Sequence, residues 1–291
     1  MAKRKIRTLP RDDDGAIRKR YFGRVVKAIE TDDVETLLRL VGGLHVADLG
    51  AVVEALEQEQ RPHLIKLLGI HFDFTALTEV DDTVREEILE ELPTQTVAEG
   101  VRDLESDDAV TILEDLPKEE QTEILEQLPQ LERVALKRSL DYPEDSAGRR
   151  MQTDFITVPP AWSVGQAIDY MRETVDLPEQ FYKLYVTDER RRFLGAVPLD
   201  RLLRAKRPVP VPDLIEDTRL RVRAVQDQAE VARLFLRYNW VAAPVVDSED
   251  RLVGIITFDD VGDVIEEEAE EDIKALGGVT HDAQLSDTVW T

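Results

Sequence analysis

Carboxylates are concentrated in one stretch near the end of the chain, where residues 259–272 hold nine Asp and Glu side chains and no basic residue. The periodicity of this stretch predicts one helix of about four to five turns that ends at Gly277 and Gly278. Apolar residues repeat along one face of this helix, and Glu268 and Asp272 fall in the middle of that face. Four more carboxylates line one flank of the face: Asp260, Asp263, Glu267 and Glu271.

Ionised carboxylates at this spacing are unfavourable unless something compensates them. Like charges one turn apart destabilise a helix, and burial of an unpaired carboxylate costs far more. Protonation, basic partners or a divalent cation would remove the cost, but Lys274 is the only base between Phe258 and Thr291. Oxygen ligands without Cys or a neighbouring His select hard cations, and few carboxylates completed by water are typical of Mg2+. The sequence therefore predicts a magnesium site, with a solvated acidic linker as the alternative.

Composition excludes several classes of function. The chain has 61 acidic and 37 basic residues, and its formal charge of -24 attracts cations and repels nucleic acid, so no nucleic-acid partner is expected. The absence of Cys excludes disulfides and thiolate catalysis and suits a reducing, cytoplasmic location. The four His residues are scattered, and no Gly-rich phosphate loop or nucleophile with a base is present, so the chain is predicted not to be an enzyme.

A twelve-residue repeat runs through the first half of the chain, since every twelfth position from Leu44 to Leu140 is apolar. Pro and Asp residues beside the repeat position are typical of turns and helix caps, so each unit is predicted to be a short amphipathic helix followed by a turn. Such helices are marginal alone and must stack on their neighbours. We predict a basic N-terminal tail over residues 1–20 and an acidic, right-handed α-superhelix over residues 21–141.

The second half of the chain has a different pattern, in which prolines separate short β-rich segments. Strand, helix, strand, strand and helix patterns follow one another and then return about sixty residues later. The sequence therefore predicts a multidomain α + α/β protein in which the helical domain precedes two copies of a β-α-β-β-α unit. The predicted bounds are residues 142–205 and 206–262 for the two copies, 263–278 for the acidic connecting helix and 279–291 for a tail.

The repeated unit resembles the CBS module, a small sensor domain that occurs in pairs, dimerises and often binds adenine nucleotides. The matching segments are residues 244–247, 251–257 and 259–260. In such modules a Thr and an Asp three residues later hold ribose and phosphate, and Thr257 and Asp260 match them. In the first module, Pro198 and Arg201 stand at those positions and depart from the pattern. The resemblance implies a homodimer formed through the CBS modules and ATP as a candidate ligand.

The order of segments is similar to that of the cytosolic region of MgtE-type magnesium transporters, over residues 25–278. In that family the last helix leads into the membrane domain, and Mg2+ holds the domains in a closed, non-conducting dimer. The resemblance implies Mg2+ as the cofactor and the following regulatory ligands: Asp103, Asp107, the Gly148 backbone, Asp227, Asp260, Asp263, Glu268, Glu271 and Asp272. Ala229 and Asn239 stand where the family has acidic residues, which implies a weaker site between the second CBS module and the helix.

The predicted function is magnesium sensing on the cytosolic face of the inner membrane, where Mg2+ closes the assembly by bridging facing acidic surfaces. The membrane domain of the transporter would be the partner, and because it is not in this chain we expect an excised regulatory region or a natural relative without it. The alternative is a soluble CBS adaptor that senses adenine nucleotides through Thr257 and Asp260, with the acidic residues as ordinary surface.

Overall fold

The protein divides into two compact units that meet in sequence between Asp141 and Tyr142. The computed structural model describes residues 9–12, 14–175, 177–178, 180–216, 220–262 and 264–265. The first unit is helical, and the second contains two three-stranded sheets with helices. Within these described ranges, no helix is both long and apolar enough to cross a bilayer.

Short helices joined by tight turns build the first unit. Their bounds are α1 Lys19–Glu30, α2 Val34–Leu40, α3 Val46–Ala55, α4 Gln60–Leu68, α5 Asp82–Glu91, α6 Thr94–Val101, α7 Ser106–Glu114, α8 Lys118–Gln127 and α9 Gln130–Leu140. Two short 3-10 turns, Gly69–His71 and Phe74–Leu77, lie between α4 and α5. Helix α6 packs against α8 and α7 packs against α9, so each of these helices stacks on the next but one, as a repeat architecture requires.

The twelve-residue repeat has a physical cause in the core of this unit. Every residue of the series from Leu44 to Leu140 is buried or packs against one continuous apolar cluster. Leu56, Leu92 and Leu128 are C-cap residues with extended backbone, so the repeat position ends a helix and buries a side chain at the same residue. The predicted helical domain is confirmed, because the apolar series and the turns coincide.

Helix capping follows the sequence signals in part. Asp81 caps α5, because its Oδ1 accepts a hydrogen bond from the Thr83 N–H at 3.0 Å. Asp107 and Asp108, two of the Asp residues beside the repeat position, do not occupy the N-cap of α7. They lie inside its first turn, and Glu105 is the N-cap residue. A carboxylate in the first turn still stabilises a helix through the partial positive charge of its N-terminus.

Two copies of the β-α-β-β-α unit form the second unit of the chain. The bounds are β1 Thr157–Val158, α10 Val164–Glu173, β2 Lys183–Thr187, β3 Phe193–Pro198 and α11 Leu199–Arg204, then β4 Val222–Arg223, α12 Gln228–Tyr238, β5 Ala242–Val246 and β6 Leu252–Thr257. In each sheet the first strand is parallel to the second, and the second is antiparallel to the third. The predicted strand and helix order is confirmed.

The two copies are joined by matched contacts. The N–H of Phe193 donates to the Asp250 carbonyl, and the N–H of Leu252 donates to the Arg191 carbonyl, both at 2.9 Å. Each bond is the counterpart of the other with the copies exchanged, so the loops before β3 and β6 meet with approximate two-fold symmetry. Side chains from both sheets, among them Tyr185, then form one apolar cluster.

Glycines allow each sheet to receive a segment from outside its own strands. A Cβ on Gly254 of β6 would lie 2.5 Å from the Met151 sulfur, and a Cβ on Gly195 of β3 would lie 2.2 Å from Ile215 Cγ2. Both distances are shorter than any real contact. Glycine is therefore required at the two places where Met151 and Ile215 pass over the sheets. They occur at the same place in the two copies, which extends the approximate symmetry to the linkers.

The acidic segment after β6 begins as a helix over residues 258–262. Val261 and Val264, two members of its predicted apolar face, are buried, and Ile265 packs against the core of the second copy. The predicted ligands Asp263, Glu268, Glu271 and Asp272 lie outside the described residues. The start of the predicted apolar face therefore faces the core, as its spacing indicates.

Candidate functional site

The helical unit places Asp103 in the turn between α6 and α7, and Asp107 in the first turn of α7. Asp103 is exposed and lines a cavity of about 480 Å³ together with Asp73 and Glu99. Asp107 is only 8% exposed, in the first turn of α7. In the part of the chain that the structure describes, no group of three or more His, Asp or Glu residues could hold a metal ion. Asp103 and Asp107 could therefore supply only part of a coordination shell.

Gly148 is fixed by close packing at the start of the second unit. Its N–H donates to the Ala224 carbonyl at 2.7 Å. A Cβ at this position would lie 2.5 Å from the Tyr142 ring and 2.9 Å from the Ala224 carbonyl oxygen. Only glycine fits there, so the position predicted to supply a backbone ligand is also one where the backbone comes close to its neighbours.

Asp227 lies beside the segment that contains Gly148. Ser146 and Asp227 form an antiparallel bridge, and the Gln228 N–H donates to the Asp145 carbonyl at 2.8 Å. The Asp227 side chain is exposed and caps α12, where Oδ1 accepts a hydrogen bond from the Glu230 N–H at 3.0 Å. The structure thus brings Gly148 and Asp227 into one region, although they are far apart in sequence.

Thr257 and Asp260 contact each other directly at the end of β6. The Thr257 hydroxyl donates to Asp260 Oδ2 at 2.8 Å, and the Thr257 N–H donates to the same oxygen at 3.0 Å. A Thr whose backbone N–H is bound by an acid three residues later is a capping arrangement at a helix start. Both residues therefore already have a structural role, with which ribose or metal binding would compete.

The first copy lacks this pair, as the strand register of the two sheets shows. Pro198 lies opposite Lys183 in its sheet, as Thr257 lies opposite Ala242 in the other. Pro198 is thus the structural counterpart of Thr257, and it has no hydroxyl and makes no side-chain cap at α11. Arg201 follows where the second copy has its acid.

A cleft where the two copies meet is narrow. It encloses about 10 Å³ and is lined in part by Trp240, Lys183 and Glu216. Lys183 Nζ and Glu216 Oε2 form an ion pair at 3.1 Å across this lining. The volume is about that needed for a single water molecule, so a nucleotide would have to open the cleft to enter it.

One structural feature was not expected from the sequence. Arg85 is buried in the helical unit and pairs with Asp82 at 2.9 Å and with Asp115. Burial lowers the pKa of Arg85, but the hydrogen bond and charge of Asp115, followed by those of Asp82, raise the pKa above its usual value. The three-residue spacing of Asp82 and Arg85 was the available signal, whereas Asp115 is distant in sequence.

Asn239, one of the two departures from the family pattern, has a clear structural role. It is the C-cap residue of α12 and adopts the left-handed conformation, with φ of 52°. Asn tolerates this conformation better than most residues. Ala229, the other departure, is buried in the same helix. Because these residues are Ala and Asn, neither position offers a carboxylate to a cation.

Comparisons with known proteins agree with this architecture. The MgtE intracellular N domain family matches residues 44–145, and the CBS domain family matches residues 147–207 and 220–267. The magnesium transporter MgtE of Thermus thermophilus is 41% identical over 138 residues, which cover 47% of this chain and 31% of that protein. MgtE of Bacillus subtilis is 28% identical over 86% of this chain and 55% of its own length, and MgtE of Enterococcus faecalis is 29% identical over 92% and 59%. The chain therefore spans less than two thirds of each of these relatives.

Solved structures give the same result. The crystal structure of the soluble part of a magnesium transporter has a TM-score of 0.70 and 25% identity, covering 86% of this chain and 99% of that one. The crystal structure of the cytosolic domain of the Mg2+ channel MgtE in complex with ATP has a TM-score of 0.75 and 30% identity, covering 84% and 99%.

Fold and domain order define a CBS-pair protein with a helical N domain, as predicted. The chain belongs to the MgtE family, and it matches the cytosolic part of the family's members. The relatives named above are magnesium transporters or channels, and none of them is named as an enzyme.

Proposed function

We propose that this chain is the magnesium-sensing regulatory region of an MgtE-type transporter or channel, on the cytosolic face of the membrane. The observation that carries the proposal is the separation of charge along the chain. Residues 1–141 hold 32 acidic and 19 basic side chains, residues 142–258 hold 18 and 17, and residues 259–291 hold 11 and one. Two acidic blocks thus flank a nearly neutral CBS pair, and bringing the blocks together without a cation would be opposed by their repulsion.

The donor set suits Mg2+. Carboxylates and a backbone carbonyl are hard oxygen ligands, and Mg2+ retains several waters while taking one or two carboxylates at each site. The proposed ligands are Asp103, Asp107, the Gly148 carbonyl, Asp227, Asp260, Asp263, Glu268, Glu271 and Asp272. The members that the structure describes contribute one or two oxygens at each location and do not form a complete cage. An ion that bridges separate segments would take its remaining ligands from the other segment and from water.

Sensing follows from a difference in affinity between two states. If the closed state holds Mg2+ between acidic segments and the open state does not, Mg2+ shifts the population toward the closed state. Moving the population from 1:99 to 99:1 requires a difference of about 5.5 kcal/mol. Several bridging ions can share that difference, so no single site needs high affinity. In the full-length protein the closed state would be non-conducting.

The proposal can be tested by calorimetric titration of the 291-residue chain with MgCl2. The unaltered chain is compared with variants in which a single carboxylate is replaced by an amide. Asp227→Asn should weaken binding about tenfold, which corresponds to 1.4 kcal/mol. Asp154→Asn is the matched control, because Asp154 is an exposed acid of the same unit outside the proposed ligand set. Equal titrations for the two variants would contradict a role for Asp227, and no heat of binding with the unaltered chain would contradict magnesium sensing itself.

The proposal also includes a homodimer formed through the CBS modules and attachment to the transporter's membrane domain. The family match to a CBS pair supports the first, and the relatives' names as transporters support the second. Light scattering of the isolated chain should give twice the 33.1 kDa mass of the monomer. A monomer at all concentrations would contradict the dimer.

Adenine-nucleotide sensing is the second candidate, because the similar MgtE cytosolic domain was solved in complex with ATP. In this chain ATP would use the second module, where Thr257 and Asp260 stand at the matching positions. Titration with ATP in the presence of EDTA should give binding that Thr257→Ala abolishes. Ser163→Ala, which removes a helix-capping hydroxyl in the first module, should leave ATP binding unchanged.

A further inference from the structure

The first helix carries a basic face that the proposed function does not use. In α1 the bases Lys19, Arg20, Arg24 and Lys27 are all exposed. At 100° per residue they lie within about 140° of arc, while Val25 and Ile29 on the opposite side are buried in the core. One face of the helix therefore anchors it, and the other presents four bases and one acid, Glu30, to the surroundings.

This face contrasts with the rest of its unit. Residues 1–27 hold ten basic and three acidic side chains, whereas residues 28–141 hold nine basic and 29 acidic. Despite the many acids, Arg20, Arg24 and Lys27 form no ion pair with any Asp or Glu among the residues described by the structure. The positive charge is thus concentrated at one place and is not neutralised there.

Gly23 lies within the same face, between the bases. A Cβ at Gly23 would meet no atom within 4 Å, so packing inside the protein does not require glycine. Gly in an exposed helix interior costs about 0.5–1 kcal/mol relative to Ala. Its presence makes the face flatter and would allow a surface outside the chain to approach the helix backbone closely.

The family match begins at residue 44, so α1 lies before the part of the chain that the MgtE N domain accounts for. The relatives are membrane transporters, so a protein of this family works beside a bilayer. Anionic headgroups on the cytoplasmic leaflet attract basic residues by about 1 kcal/mol each. A flat row of unpaired bases fits such an extended negative surface.

We infer that the exposed face of α1 docks on anionic lipid headgroups. The chain as a whole is negative, so binding depends on this face pointing to the membrane, within the screening length of about 8 Å at physiological salt. The acidic remainder of the chain is repelled, which favours one orientation on the bilayer. This inference goes beyond magnesium sensing and does not depend on it.

Co-sedimentation of the 291-residue chain with vesicles tests the inference. Vesicles of phosphatidylglycerol and phosphatidylcholine are compared with vesicles of phosphatidylcholine alone, with EDTA present so that Mg2+ cannot bridge acids to lipid. We expect binding to the anionic vesicles that falls steeply as KCl is added. The triple variant Arg20→Gln, Arg24→Gln, Lys27→Gln should lose binding by on the order of 100-fold.

The matched control is the triple variant Lys118→Gln, Arg133→Gln, Lys137→Gln, which removes the same charge from α8 and α9 of the same unit. It should bind anionic vesicles nearly as well as the unaltered chain, and circular dichroism should show both triple variants folded. No binding to anionic vesicles, or equal losses in the two variants, would overturn the inference. Retention on polyuridylate RNA without vesicle binding would also overturn it, because the occupant would then be nucleic acid.

Discussion

Arg85 links α5 to the end of α7 through an ion pair. It is 5% exposed, and it holds the carboxylate of Asp115. The sequence could not reveal this pair, because Asp115 is one of 17 acids between residues 80 and 130 and nothing in the repeat distinguishes it. An acidic surface interpretation of this region is therefore incomplete, since one of its carboxylates stabilises the fold.

Replacing Arg85 with Ala is expected to destabilise the helical unit by about 3–5 kcal/mol, because it leaves the Asp115 carboxylate partly buried without its partner. Denaturant unfolding followed by circular dichroism measures the change. Lys118→Ala removes an exposed base from the same unit and should change the free energy of unfolding by less than about 0.5 kcal/mol. A loss below about 1 kcal/mol for Arg85→Ala would show that the pair contributes little.

In the second unit, the Asp247 carboxylate accepts three hydrogen bonds within one loop. Burial raises the pKa of Asp247, but other interactions lower it below its usual value. These are hydrogen bonds from the Arg251 N–H, the Arg251 side chain and the Glu249 N–H, together with the Arg251 charge. The distances are 3.0, 2.8 and 2.9 Å. The ionised form is therefore the one that this loop stabilises.

Stability of the second unit should decrease in acid for this reason. Since the folded pKa of Asp247 is below the unfolded value of about 3.9, its contribution is present above that pH and is lost as the pH falls through the folded pKa. Asp247→Asn should be less stable than the unaltered chain at pH 7 and should approach it in strong acid. Urea unfolding at a series of pH values measures this, and a difference that does not depend on pH would contradict it.

At the scale of elements, the twelve-residue repeat made the first unit predictable. The repeat residues lie at or near helix ends and are buried in the core or packed against it, so a one-dimensional pattern is sufficient to locate the helices. In the second unit the predicted order of strands and helices was recovered, since Pro and Asp residues mark the ends of the short β-rich segments. Strand β1 is only two residues long and begins at Thr157, and Phe155 before it packs against the cluster shared by the two copies.

The core of the repeat should be sensitive to truncation. Leu113 of α7 is fully buried, whereas Leu131 of α9 is 86% exposed. Leu113→Ala is expected to destabilise the unit by about 2–5 kcal/mol through lost burial and a residual cavity. Leu131→Ala should have an effect of less than about 0.5 kcal/mol, and thermal or denaturant unfolding of the two variants would compare them directly. Similar losses at both positions would mean that the repeat does not form the stabilising core.

The candidate site was predictable only in part, because its residues come from distant segments. Gly148 and Asp227 could be assigned from the family resemblance, but their proximity depends on the bridge between Ser146 and Asp227, which no local pattern indicates. Thr257 and Asp260 could be named from the motif, yet their direct hydrogen bonds show that the same motif also caps a helix. A residue that a binding motif identifies can therefore have a structural role in the fold.

At the scale of the whole molecule, the central claim is that Mg2+ compensates for repulsion between separate acidic blocks. Monovalent and divalent salts should differ in their effect. A monovalent salt would only screen the repulsion, whereas a divalent cation can be bound by carboxylates from both blocks. The effect of Mg2+ should therefore exceed that of KCl at equal ionic strength, and neutralising Asp103 and Asp107 together should raise the Mg2+ concentration required.

Small-angle X-ray scattering of the 291-residue chain tests the claim most directly. The chain is measured in EDTA, in KCl and in millimolar MgCl2 at the same ionic strength. We expect the radius of gyration to fall with MgCl2 and to change much less with KCl. A radius of gyration that is the same in all three solutions would contradict the account.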